Sequence, residues 1–367
     1  MKGMAAQEKL RFDPNSPQIK AYLDELAHQF VSEGTIVAFP TCLPGMTTPI
    51  PHEESRITAL DINSDGFIYG GTSGPRAHLF AAGFHQLTGV VLDAGVVAGA
   101  TSTVSVCCGV SRTIAFVNGD RGGRAVAIPE VKLAQDWIQE WGLDRPELQD
   151  VGECVPGEAV VDAVCVPPGN MIVGMTVRHV FTMDVDSAKI ALVAEAPGRG
   201  HLGLGRTAVF GQDDGERLWR LDIASGHVER GAVELPAGAW SGSMRWARAA
   251  DGELFTADDD GRLFAFDEKK GFRAIGKTHL TPVGPIAVAP DGRLFGVCGT
   301  EIANLFCCDA RSGSVTNLGV VASIFQQRRY GYVFGAAITG PEGEIVLGED
   351  DNSGHIWLYF PRIAAQA

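Results

Sequence analysis

The sequence predicts an all-β protein, built as a closed ring of seven short four-stranded units. Three observations carry this. Apolar runs of four to six residues recur with Asp, Gly and Ser between them, which is the punctuation of strands and tight turns. The pattern repeats about every 40 residues, the length of four strands with their turns. Glycine is abundant, 46 of 367 residues, which favours many turns over long helices.

Taken in order, residues 1–33 read as a tail and a short amphipathic helix. In SPQIKAYLDELAHQFVSEG (16–34), Ser16 suits the N-cap, Pro17 the first helical position and Gly34 the stop. Ile19, Tyr22, Leu23, Leu26 and Phe30 form one apolar stripe. The stripe is expected to pack on the ring, with a homodimer contact as the alternative. The ring itself spans 34–362 as one domain, leaving 363–367 as a tail.

The clearest units are 65–97, 205–235, 251–280 and 291–321, with 168–197 a looser copy. Each follows a further apolar strand, such as RITALDI (56–62), VVDAVCV (160–166) or SMRWARA (243–249). A divergent unit at 103–129 carries an insertion, EVKLAQDWIQEWGLDRPELQD (130–150), expected to be a helix and loop. The units start near Ser55, Thr101, Glu158, His201, Trp240, Thr281 and Gln326. The last has three strands before YFPRI, and the fourth is available at the other end as GTIVAFP (34–40). An N-terminal strand in that place removes the open sheet edges.

Composition narrows the partners. A formal charge of −14 argues against nucleic acid or an anionic membrane, since either needs a basic face. It leaves room for a small anion recognised by a local patch. The N-terminus lacks an apolar leader and no window approaches a membrane span, so the expected location is cytoplasmic. Eight cysteines sit mostly within apolar runs without a C-x-x-C. The adjacent pairs Cys107–Cys108 and Cys307–Cys308 would point to opposite faces of a strand, so these read as reduced, packed side chains.

Aligned unit by unit, the third strand opens with His78, Arg124, His179, Arg217, Arg262, Asn304 and His355. A polar belt between units is the expected role. A shared functional role for His78 and His355, at equivalent positions of the first and last units, is the alternative.

The loops entering the innermost strands open on one face of such a ring; they are unusually polar, and three stand out. GRGHLGLGR carries Arg199, His201 and Arg206; QQRRYGY carries Arg328, Arg329, Tyr330 and Tyr332; AWSGSMRW carries Trp240, Arg245 and Trp246. Guanidinium forks would hold a carboxylate, and aromatic faces a sugar ring. Such a site suits removal of the proton beside a uronate carboxylate, with His201 and Tyr330 as the candidates for base and acid in either order. His52 and Tyr332 stand in reserve. A two-carboxylate glycosidase using Glu53, Glu54 or Glu158 competes. No organic cofactor is indicated. A divalent metal on His52, His201 or His355 is an alternative that no spaced His motif supports.

With these units the chain resembles the seven-bladed β-propeller superfamily over nearly all of 34–362. No unit ends in Trp-Asp as WD-repeat blades do. The Gly-Gly doublet expected of every kelch blade occurs at 70–71 and 122–123 alone. The docking Trp of quinoprotein repeats is absent, and the acidic and Asn ligands of sugar lactonases cannot be placed. In outline the chain is most similar to bacterial propeller-type polysaccharide lyases and related sugar enzymes. That resemblance implies a lyase, or a hydrolase, acting on an acidic saccharide at the central mouth. The alternative is a non-catalytic scaffold recognising a protein or glycan on the loop face.

Overall fold

The computed structural model describes residue 17 and residues 34–41, 50–85, 88–128, 147–213, 216–240, 244–323 and 329–362. Seven antiparallel four-stranded sheets succeed one another along the chain. In blade one the strands are Arg56–Ile62, Ile68–Ser73, His78–His85 and Thr88–Val96. Blade two has Ala100–Cys108, Thr113–Gly119, Gly122–Ile128 and Gln149–Glu153, so its fourth strand begins within the last two residues of the predicted insertion. Blades three and four begin with Val160–Val166 and Arg199–Leu204, blades five and six with Ala247–Arg248 and Val283–Val288. Blade seven has Phe334–Thr339, Ile345–Glu349 and His355–Phe360, with Thr35–Pro40 paired antiparallel to the last of these, Thr35 opposite Phe360 and Pro40 opposite His355.

The innermost strands touch in sequence, and that of blade seven packs against that of blade one. The sheets therefore stand in a ring with the first strands around an axis. The helix expected at 16–34, apart from Pro17 and Gly34, lies outside the described residues, as do most of the insertion and the tail 363–367. No helix among the described residues is long and apolar enough to cross a membrane.

Burial explains why the strands read as they do. The second strand of a blade is covered on both faces, and IYGGTS, AVFGQ, LFGVC and IVLGE are buried at every position. Such strands appear as continuous apolar runs rather than alternating ones. Glycine within them has a packing reason. A Cβ on Gly70, Gly174 or Gly211 would overlap the ring of Phe80, Phe181 or Trp219, which lies flat across it from the third strand. The turn after the first strand explains other glycines: Gly66, Gly252, Gly292 and Gly343 all have φ between 83° and 86°. Each donates its N–H to the carbonyl three residues back. Those are left-handed positions that only glycine adopts without cost.

The innermost strand of blade five departs from the predicted SMRWARA run, pairing over Ala247–Arg248 alone. The residues ahead of it bond elsewhere: the His201 N–H donates to the Met244 carbonyl at 2.9 Å, and the Thr256 hydroxyl to the Arg245 carbonyl at 2.6 Å. Arg245 is thereby left on the axis rather than in a ladder.

Candidate functional site at the axial mouth

The starts of the innermost strands surround a mouth of about 280 Å³, lined by Thr58, Thr103, His201, Arg245 and Asp350 among others. It continues along the axis into a chamber of about 310 Å³ that shares Thr58, His201 and Arg245 and reaches Asp61, Cys107, Asp162 and Cys165. Volumes of this size belong to small-molecule sites.

Four ionisable groups dominate. His201 lies on the first strand of blade four, its side chain 34 % exposed, with Nδ1 3.6 Å from Oδ2 of buried Asp162 in blade three. Asp162 is fixed from both sides: Oδ1 accepts the Ser105 hydroxyl at 2.5 Å, and Oδ2 accepts the Leu202 N–H at 2.6 Å. Blades two, three and four are thus tied together beneath the imidazole. Arg245, from blade five, donates through Nη1 to the Gly335 carbonyl of blade seven at 2.5 Å. Burial pulls its pKa down, against the opposing charges of Asp350 and Asp162. Burial likewise raises the Asp350 carboxyl, while Arg56, paired to it at 2.9 Å, works the other way.

Of the residues proposed from sequence, the mouth gathers His201 and Arg245. Arg199 starts the same strand as His201 but is exposed. Arg206 is a correction: it follows that strand, in the turn at the far end of the ring, and pairs with Asp251 and Asp267. Four residues, Leu202 to Gly205, separate it from His201 at the mouth. Trp240 is not an open sugar platform, since it packs on Phe264 and Phe272 at 5.4 and 6.3 Å and donates Nε1–H to the Pro236 carbonyl at 2.7 Å. Tyr330 and Arg329 sit on a small hairpin with Ala322–Ser323, and neither lines the mouth or the chamber. Arg329 is engaged with Glu349 at 2.8 Å. Tyr332 is 47 % exposed on the loop that follows. Arg328 lies outside the described residues.

The belt has a structural explanation. His78 is buried with Nε2 2.7 Å from Glu54 and Nδ1 3.2 Å from Asp93. His179 faces Glu158 at 2.9 Å, and His355 faces Glu349 at 3.1 Å. Arg124, Arg217 and Arg262 pair with Asp150, Glu234 and Asp258, and Asn304 donates to the Ile302 carbonyl. A buried carboxylate is tolerated only when so partnered. Arg76, at hydrogen-bond distance, and then His78 hold the Glu54 carboxyl below the usual range against burial. Burial pushes Glu158 and Glu349 up, but Thr176, His179 and Arg178 outweigh it at the first, and His355 and Arg329 at the second. Burial depresses His78, yet Asp93 and Glu54 leave it raised overall.

These pairings also correct the glycosidase alternative, because Glu54 and Glu158 are committed to the belts of different blades and Glu53 is exposed in the short 3-10 turn His52–Glu54. Among the described residues no group of three His, Cys, Asp or Glu side chains is placed to hold a metal ion. Asp162 and Asp61 escaped the sequence reading. Each is a single carboxylate interrupting an apolar innermost strand, VVDAVCV and RITALDI, and that interruption was the available signal.

No known family model and no curated protein matches the chain. Among solved structures, one described as a WD40 beta propeller domain of Doa1 matches with a TM-score of 0.59. The match covers 87 % of this chain and 96 % of that one, at 12 % sequence identity. The chain is a seven-bladed β-propeller. At that identity the likeness carries the architecture alone, and the propeller's chemistry has to be argued from its own axis.

Proposed function

We propose that this propeller acts on a small acidic saccharide at the axial mouth, with Arg245 holding the carboxylate and His201 moving the proton. The observation that carries the reading is Arg245 itself. It is a half-buried guanidinium that forms no ion pair among the described residues, while the arginines of the belt do. A ligand carboxylate supplies the missing partner, in a setting where charge-assisted hydrogen bonds are worth about 1.5–3 kcal/mol.

In β-elimination from a uronate, neutralising the carboxylate eases loss of the C5 proton. His201 takes that proton as the C5–H bond breaks, the C4=C5 double bond forms and the C4–O bond to the leaving sugar opens. Asp162 holds the ring from the Nδ1 side. Among the described residues no tyrosine lines the mouth, so the departing oxygen is protonated by His201 in return or by water. Absorbance of the unsaturated product, followed over a panel of uronate oligosaccharides, tests this. His201→Gln is expected to lower kcat by about 10²–10⁴, and Arg245→Gln to weaken KM and kcat together. Absence of both unsaturated product and new reducing ends throughout the panel would overturn the enzymatic reading. The second reading is a binding scaffold, supported by the exposed Leu280, Tyr332 and Val333 on loops of the mouth's face.

A further inference from the structure

Below the mouth, the chamber carries two carboxylates alongside Arg245 and Arg248. Asp61, at the far end of the first strand of blade one, lines it together with Asp162. Its two oxygens accept backbone N–H groups, Ile62 at 2.8 Å and Cys108 at 2.7 Å. No Lys, Arg or His pairs with it among the described residues. The titratable neighbours that act on it or feel it are Cys107, Cys108 and Cys165, whose thiols burial pushes up, Cys165 to about 12, so they bring no charge of their own. Arg248 also reaches the chamber wall, where burial lowers its pKa against the opposing charges of Asp251 and Glu268. Burial leaves the Asp61 carboxyl itself raised to about 6, against the two backbone N–H bonds and a hydrogen bond from the Cys108 thiol. An acid in that state is largely ionised at neutral pH and forms no ion pair among the described residues.

We infer that the chamber is a second subsite, which binds the ammonium group of a ligand whose carboxylate lies against Arg245. Thr58 at the mouth and Asp61 are three residues apart on one strand, about 10 Å at the rise of extended chain. That is the span of two linked pyranose rings. The substrate class is therefore a dipolar disaccharide: a uronate joined to a hexosamine with a free amine. This identification rests on the acidic-saccharide reading of the mouth, whereas the chamber's preference for an ammonium group can be tested apart from it.

The experiment is calorimetric titration of the full chain with a uronate–glucosamine disaccharide and with its N-acetylated counterpart, at about pH 7.5 and about pH 5, on either side of the Asp61 transition. The free amine is expected to bind about 10-fold tighter or more at the higher pH, and the preference to vanish at the lower. Taking the ratio of the two ligands cancels whatever His201 contributes. Asp61→Asn is expected to abolish the preference while leaving the N-acetylated ligand's affinity unchanged; should that variant not fold, the wild-type pH comparison decides. Equal affinities for the two ligands at the higher pH would overturn the inference and leave the mouth reading standing.

Failure of both ligands to bind would instead overturn the mouth reading. The chamber is then judged by methylammonium alone, through the amide resonances of Ile62 and Cys108, the two donors to Asp61. Shifts that depend on Asp61 uphold the ammonium site, and their absence removes it.

Discussion

Glu349 offers the sharpest test of the view that the belt is structural. Its side chain is fully buried, and Oε2 accepts Arg329 Nη2 at 2.8 Å, Arg329 Nε at 3.2 Å and the His355 backbone N–H at 3.1 Å, with His355 Nδ1 also 3.1 Å away. In Glu349→Ala a guanidinium 20 % exposed and an imidazole 6 % exposed lose this carboxylate. Breaking a buried pair from one side costs about 3–5 kcal/mol, and a stranded backbone donor about 1–3 kcal/mol. The two overlap, and Asp351, 3.5 Å from Arg329, recovers part of the first. The expected loss is about 4 kcal/mol, a large share of the 5–15 kcal/mol typical of a whole protein. Urea unfolding measures it as a fall in the midpoint at unchanged slope. Glu349→Gln keeps the shape and one acceptor, and should lose roughly half as much. Glu234→Ala, which removes an exposed partner of exposed Arg217, serves as the control and should leave the midpoint where it is. A loss below about 1 kcal/mol in Glu349→Ala would refute the claim that the belt needs its buried carboxylates.

Three further outcomes are expected. Glu54, Glu158 and Glu349 have depressed carboxyl pKa values, so their stabilisation is present above the unfolded value of about 4.3 and is lost as pH falls through the folded ones. The raised His78 acts in the opposite sense: its share is complete below about pH 6.5 and fades as pH rises through its folded value. Urea midpoints measured against pH should fall on both sides, and Glu54→Gln should weaken the alkaline decline. Gly174→Ala forces a methyl into the ring of Phe181 and should cost about 1–3 kcal/mol, read as a lower melting temperature. Finally, native Cys107 and Cys154, buried with raised pKa values, the latter about 12, should resist iodoacetamide at mildly alkaline pH and react promptly in urea, as mass mapping would show.

What the sequence could reveal follows from how distance along the chain maps onto the ring. A blade is local: its strands, its left-handed turn glycines and the glycine beneath each third-strand aromatic lie within about 40 residues, so the repeat was legible. The belt was legible for the same reason, since His78, His179 and His355 open equivalent strands. The mouth obeys a different geometry. Arg199 and Arg206 are neighbours in GRGHLGLGR, yet the strand Arg199–Leu204 carries the chain from one face of the ring to the other between them. Residues grouped by one loop are thereby sent to opposite faces. Asp162, His201, Arg245 and Asp350 stand far apart in sequence and converge because blades three, four, five and seven meet at the axis. Composition of single loops therefore misplaced Arg206 and Trp240, while a lone Asp inside an apolar innermost strand was the better guide. The contrast between the two zones also argues for function. In the belt each equivalent side chain has found a partner of the protein's own, as a load-carrying joint requires. On the axis the Arg245 guanidinium and the Asp61 carboxylate are hydrogen-bonded to backbone groups and form no ion pair among the described residues, an arrangement that costs stability and that a ligand carrying the opposite charges would relieve.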